Sequence, residues 1–289
     1  MKKIFLLIHL FSLFFSAAKA QTVEDSICIS NINWAITDIA NGIKVKQAQI
    51  KNLYKGVQHI SIIEIDNEDL TYEIGTYSPD NRALKKTSEQ AGLLDALVAI
   101  NGTFFDMKNG GDVNFHKMNG ITLYKTKSSE FEVRAKGAFC IEDNEYDIIN
   151  WDEKIENDSL NNLQYDDILV SGPLLVYQNT IVKLEDTPFV YNKHPRSAVS
   201  IAQNGNLLFI LFDGRHINNA NGVNLYELAH FLKQIGAEKA LNLDGGGSST
   251  LYAKGFGENG IVNMPSDNKL FDHEGERKIA SIIFVSKKK

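Results

Sequence analysis

The stretch Ala240-Leu241-Asn242-Leu243-Asp244-Gly245-Gly246-Gly247-Ser248-Ser249-Thr250-Leu251-Tyr252 decides how this chain is read. Apolar and polar residues alternate into a carboxylate, three glycines and three hydroxyls follow, and a second apolar run begins, which predicts strand, sharp turn, strand. Consecutive glycines reach backbone angles closed to other residues, so main-chain N–H groups can converge on an anion. Asp244 stands at the rim of that turn, and Ser248, Ser249 and Thr250 add donors suited to phosphate or sugar hydroxyls. A Gly/Ser tract can also be a flexible linker. Here it is short and closely flanked by strand-like runs, which favours the turn.

The flanks extend the pattern. Upstream, Asn224 caps an amphipathic helix through Tyr226, Leu228, Ala229, Phe231 and Leu232, and Gly236 ends it. The preceding strand, Leu207 to Phe212, ends in Asp213-Gly214-Arg215-His216 and is reached through a Gln203-Asn204-Gly205-Asn206 hairpin turn. Before it, Asn192-Lys193-His194-Pro195-Arg196 leads into another strand, and Asp167 to Tyr177 reads as a buried strand broken at Ser171-Gly172-Pro173, by either a bulge or a close backbone approach. From Ile32 to about Ser78 the pattern is meandering antiparallel strand, with a turn at Asp66-Asn67-Glu68-Asp69. A helix from about Ser88 to Leu97, capped by Thr87 or Ser88, feeds the short strand Val98-Ala99-Ile100, which ends at Asn101-Gly102. A final strand runs from Arg277 to Val285, and Met107 to Gln164 is polar, with a loop at Lys108 to Asp112 and a candidate strand at Gly120 to Tyr124, either a cleft lobe or an excursion over the sheet. The expected fold class is α+β: a mixed, largely antiparallel sheet with a few packed helices in a single domain.

Composition bounds the function. Lys2 and Lys3, the apolar run Ile4 to Phe15 and Ala18-Lys19-Ala20 read as a secretory signal peptide over residues 1–20, leaving a domain over 21–289 with a strand-rich part near 30–80 and a motif-bearing core near 99–289. The predicted product is secreted or periplasmic, with no membrane anchor. The net charge of −6 argues against a nucleic-acid partner. Cys28 and Cys140 lack a CxxC spacing; they are either a disulfide or two free thiols. There is no P-loop, no HExxH and no GxSxG elbow, so no cofactor is expected; Asp213 and Asp244 leave a divalent metal open.

Asn101, Arg196, Asp213 with Arg215, and Asp244 with its glycines all stand at predicted strand ends. Two guanidiniums offer forked donors to phosphate oxygens and two carboxylates offer acid, base or nucleophilic capacity. The same charges could instead neutralise one another in a structural network.

Together, Asn101-Gly102-Thr103-Phe104-Phe105, Ser171-Gly172-Pro173-Leu174-Leu175, His194-Pro195-Arg196-Ser197-Ala198, Asp213-Gly214-Arg215, Leu243-Asp244-Gly245-Gly246-Gly247-Ser248-Ser249 and Glu276-Arg277 resemble, in order, the motifs of the phosphodiester glycosidase family. That family includes the enzyme that removes a covering N-acetylglucosamine from mannose 6-phosphate. The resemblance runs from about Ala99 to the C-terminus and departs where Arg277-Lys278-Ile279-Ala280-Ser281 replaces a more usual Arg-x-Val-Ala-Asn/Asp. It implies hydrolysis of a sugar-1-phosphodiester, of small-molecule or glycan origin. The implied catalytic residues are Asp244, Asp213 and Asn101, and the implied phosphate-binding residues are Arg196, Arg215, Gly245, Gly246, Gly247, Ser248, Ser249 and Arg277. Two other functions fit the same residues: a binding module for phosphorylated or acidic glycans, and a serine hydrolase using Ser248 or Ser249, which would need a histidine base.

Overall fold

The computed structural model describes residues 22–67, 71–159 and 165–288. The expected signal peptide, and residues 68–70 at the end of the Asp66 turn, lie outside them. Every pairing between named strands is antiparallel, so the α+β class holds while the mixed sheet does not. A parallel pair needs a long crossover, usually a helix, and only a few short helices occur here.

An eight-stranded sheet carries, in spatial order, Ala35–Ala40, Ile43–Leu53, Gly56–Ile65, Leu207–Phe212, Arg196–Ala202, Ala237–Asn242, Leu174–Tyr177 and Thr180–Ile181. The run Leu207 to Phe212 shows no polar alternation because both its faces are covered. Leu207, Phe209 and Leu211 enter a core shared with the two smaller sheets. Leu208, Ile210 and Phe212 pack with Leu225, Leu228, Phe231 and Leu232 of the helix Leu225–Gln234. That helix begins as predicted: Asn224 Oδ1 accepts from Glu227 N at 2.8 Å, and Glu227 returns the bond to Asn224 N at 3.0 Å.

A four-stranded sheet holds Leu251–Ala253, Val98–Asn101, Ile282–Lys287 and Tyr72–Tyr77 in that order. The polar segment after Met107 builds most of a five-stranded sheet: Ile121–Tyr124, His116–Met118, Asp167–Ser171, Gly137–Glu142 and Glu145–Asn150. Its own core includes Phe115, Cys140 and Trp151.

Three local expectations change. Asp167–Ser171 and Leu174–Tyr177 belong to different sheets, so Ser171-Gly172-Pro173 is a transfer between layers: the bulge is not formed and the close backbone approach is. Gly172 is required there, because a Cβ would come within 2.9 Å of Lys136 N and 3.0 Å of Val133 O. The helix near Ser88 spans Thr87–Leu93 with Lys86 as its cap; Ala96 N already bonds back to Ala91 O at 2.9 Å and Asp95 takes φ 51°, which turns the chain before Leu97. The last strand starts at Ile282 because Ile279 is bridged to Lys85 in both directions, at 2.9 and 3.0 Å. Cys28 and Cys140 are both free thiols, and burial pushes both pKa values up. No helix among the described residues is long and apolar enough to cross a membrane.

Candidate active site

Register gathers the strand ends. Arg196 pairs with Phe212, and Ala198 with Asn242. The start of one strand and the ends of its two antiparallel neighbours therefore share one end of the large sheet. The Gly245 to Thr250 turn then carries the chain from the large sheet to the four-stranded one, where Leu251 lies opposite Ile100. Asn101 clamps this junction. Its Nδ2 donates to Asp244 O at 2.7 Å, while its Oδ1 accepts from Ser197 Oγ at 2.8 Å and Thr250 N at 3.1 Å. Only an amide donates and accepts in this way. Asp244 N also donates to Gly102 O at 3.1 Å, so the main chain around the carboxylate is held on two sides.

The triple glycine makes room for arginines. Gly246 takes φ 65°, and a Cβ there would lie 2.8 Å from Arg215 Nη2. A Cβ on Gly247 would overlap the Arg277 and Asp267 side chains. Arg215 bonds Ser266 Oγ at 3.4 Å, and Arg277 Nε pairs with Asp267 Oδ1 at 2.9 Å. The turn's own amides point largely inward: Gly245 N bonds Asp244 Oδ1 at 2.9 Å, Gly246 N bonds Pro195 O at 2.9 Å, and Ser248 N and Ser249 N each bond back into the turn at 3.3 Å. An open cradle of successive N–H groups is therefore not formed. Among the described residues, the buried side-chain hydroxyls of Ser248, Ser249 and Thr250 have no hydrogen-bond partner and no histidine bonds to either serine.

Asp244 keeps partial solvent contact although protein surrounds it on most sides. It is therefore half-buried, with one edge wet. Burial pushes its pKa up to about 6, and Ser248, Gly245 N, Arg277 and Arg134 pull in the opposite direction. The Ser248 hydroxyl faces the carboxyl but falls short of full hydrogen-bond geometry. A carboxyl so poised exchanges its proton near neutral pH, as acid–base chemistry requires.

The other two predicted side chains are committed elsewhere. Arg196 is 2% exposed; its Nη2 donates to Phe189 O at 2.7 Å and Asn192 O at 2.9 Å, its Nε to Val223 O at 3.3 Å, and its guanidinium lies 5.1 Å from the Phe189 ring centroid. This fork grips main-chain carbonyls of the short helix Pro188–Tyr191 and its flanks, so it is not free to grip a phosphate in the same way. Burial pushes its pKa down to about 10, with Asp244 partly restoring it, and it stays charged at neutral pH. Asp213 is saturated as well: Oδ2 accepts from His59 Nδ1 at 2.7 Å, and Oδ1 from Asn263 Nδ2 at 3.0 Å and Met264 N at 3.1 Å. Asn263 also reaches Ser249 O at 3.1 Å, which ties Asp213 to the turn.

Sequence reading missed His59, Asn263 and Arg134. His59 is a lone histidine inside a β-branched strand and Asn263 a lone amide in a loop, and neither carries a motif. His194, singled out beside Pro195, lies near Arg196 and Arg215. Burial and those two charges lower its pKa, leaving it neutral at pH 7. Among the described residues no group of three or more His, Cys, Asp or Glu side chains is placed to hold a metal ion.

Comparison with known proteins bears on the family and the fold. A sequence profile of the phosphodiester glycosidase family matches residues 95–286. The human N-acetylglucosamine-1-phosphodiester alpha-N-acetylglucosaminidase is 27% identical over 195 residues, 62% of this chain and 35% of that protein. Its bovine counterpart is 26% identical over 209 residues, 67% of this chain and 37% of that protein. The chain thus spans about a third of the length of these relatives. Among solved structures, the zebrafish N-acetylglucosamine-1-phosphodiester alpha-N-acetylglucosaminidase catalytic domain, auto-inhibited by its pro-peptide, superposes with a TM-score of 0.65 at 18% identity, covering 89% of this chain and 88% of that one. A hypothetical protein from Synechocystis reaches 0.65 at 15% identity, covering 89% and 64%. At such identities the likeness establishes the fold.

Proposed function

The chain belongs to the phosphodiester glycosidase family, and we propose that it is an exported hydrolase cleaving a sugar-1-phosphodiester, with N-acetylglucosamine the first sugar to test. The observation that carries the reading is Asp244, a half-buried carboxyl with a pKa of about 6 at the head of a glycine turn against which Arg215 and Arg277 pack. The leaving group of such a substrate is a phosphate monoester anion, so holding its charge matters more than protonating it. Arg215 and Arg277 hold the phosphate and the charge that grows on it as the bond to the sugar breaks. Asp244 works on the sugar side, as base for water or as nucleophile at the anomeric carbon. Water oxygen ends on that carbon and the monoester departs with the electron pair of the broken C–O bond. Asp213, its oxygens already occupied, orients His59 and the Asn263 loop, while Asn101 and Arg196 brace the main chain that presents Asp244. The reading favours a hydrolase over a glycan-binding module because binding alone has no use for a carboxyl poised to exchange a proton. Purified protein should release free sugar from methyl N-acetylglucosaminyl phosphodiester, and Asp244→Asn should bind methyl phosphate yet release none. Binding without turnover in the wild type would leave the lectin reading in its place.

A further inference from the structure

Arg134 lies outside every motif that points to the site. It follows the helical turn Ser128–Glu132 in the five-stranded lobe, yet its main chain is pinned to the active-site junction. Asn114 Nδ2 donates both to Arg134 O at 2.8 Å and to Thr103 Oγ1 at 3.0 Å, two residues beyond the Asn101 clamp. Gly172 lets the same segment come close, since a Cβ there would stand 3.2 Å from the Arg134 carbonyl carbon; Gly172 O in turn accepts from Asn242 Nδ2 at 2.7 Å.

The side chain is held but not used up. Its guanidinium lies 5.1 Å from the centroid of Phe104, Phe104 meets Phe189 edge-on at 5.8 Å, and Phe189 carries Arg196 at 5.1 Å. Two aromatic rings between two guanidiniums thus join the lobe to the sheet end that bears Asp244. Glu130 Oε1 accepts from Nη2 at 2.8 Å. Nε and Nη1 have no partner among the described residues, and the side chain is 42% exposed. An aromatic platform and one carboxylate fix the direction of the guanidinium, and its remaining donors are left for a ligand.

We propose that Arg134 is a substrate-binding residue that donates to a phosphate oxygen of the sugar-1-phosphodiester from the lobe wall, while Arg215 and Arg277 act from the glycine turn. The proposal rests on the function given above. The alternative is a purely structural Arg134, whose guanidinium only neutralises the buried Glu130 carboxylate.

Calorimetric titration of the full chain with methyl phosphate, together with steady-state hydrolysis of methyl N-acetylglucosaminyl phosphodiester, separates them. Arg134→Gln should weaken methyl phosphate binding about tenfold, as loss of one charge-assisted bond implies. It should raise KM more than it lowers kcat, beyond any fall in Tm from leaving the buried Glu130 without its guanidinium; Arg134→Lys, which keeps a charge beside Glu130, should recover part of the affinity. Unchanged affinity and KM in Arg134→Gln would overturn the proposal. So would a loss that tracks a fall in Tm and is not recovered by lysine, or a wild type that binds no methyl phosphate. A wild type that binds methyl phosphate but hydrolyses no diester would sink the glycosidase reading, while the titration still decides for or against Arg134.

Discussion

Replacing Asp244 by asparagine should stabilise this protein above pH 6. Burial raises the carboxyl from 3.8 to about 6, so the folded state holds this proton more tightly than the unfolded chain does. Between those two values the folded state binds more protons, and stability contributed by Asp244 is present below pH 4 and lost as pH rises to about 6. A shift of about two pK units corresponds to roughly 3 kcal/mol at about 1.4 kcal/mol per unit. Partial solvent contact reduces this to about 1–3 kcal/mol. The amide is near-isosteric and can still accept from Gly245 N, so the variant escapes the cost of a buried charge. Denaturant unfolding of both proteins at pH 4, 6 and 8 should show no difference at pH 4 and a more stable variant at pH 8, with a Tm gain of roughly 2–4 °C per kcal/mol. The difference between the two proteins isolates Asp244 from the other titrating groups. A variant less stable than the wild type at pH 8 would refute this, because it would make the carboxylate a net partner of the surrounding guanidiniums.

Arg196→Lys should lower Tm, since an ammonium cannot reach all three carbonyls the fork serves and the buried Val223 O alone loses a donor worth about 1–3 kcal/mol; an unchanged melting curve would show that the fork is not a brace. Gly246→Ala should raise KM through Arg215 beyond the roughly 1–2 kcal/mol of its left-handed φ, whereas Gly255→Ala, at φ 79° with nothing within 4 Å of a new Cβ, should lose stability only. Equal kinetics in the two alanine variants would dismiss the steric account of the turn. In the wild type, kcat/KM should rise with pH through about 6 as Asp244 loses its proton. A profile flat from pH 5 to 7 would place the catalytic carboxyl elsewhere.

The glycine turn and Asp244 were legible because a triple glycine after a strand-ending carboxylate has few other uses. Alternation and hairpin turns likewise announced the strands. What each strand paired with was hidden. Leu251 follows Asn242 by nine positions yet lies in a different sheet, and nothing local marks that transfer. Arg196 illustrates a deeper limit: a strand-end arginine reads alike whether it holds phosphate or carbonyls. The deciding acceptors, Phe189 O and Asn192 O, come from a four-residue helix and the residue that caps it, with no sequence signature beyond Pro188. Of the five-stranded lobe only the strands at Ile121–Tyr124 and Asp167–Ser171 were legible; the others are short and their core small, and Arg134 was lost with them. The open amide cradle failed for a related reason: glycines permit such a nest, but here they serve the close approach of Arg215 and Arg277.

Hydrolysis of methyl N-acetylglucosaminyl phosphodiester in 18O-water tests the central claim most directly. Attack at the anomeric carbon breaks the sugar–oxygen bond, so the account predicts free N-acetylglucosamine together with methyl phosphate that carries no label. Label in the phosphate product, or release of N-acetylglucosamine 1-phosphate with methanol, would mean that water attacks phosphorus and would contradict it.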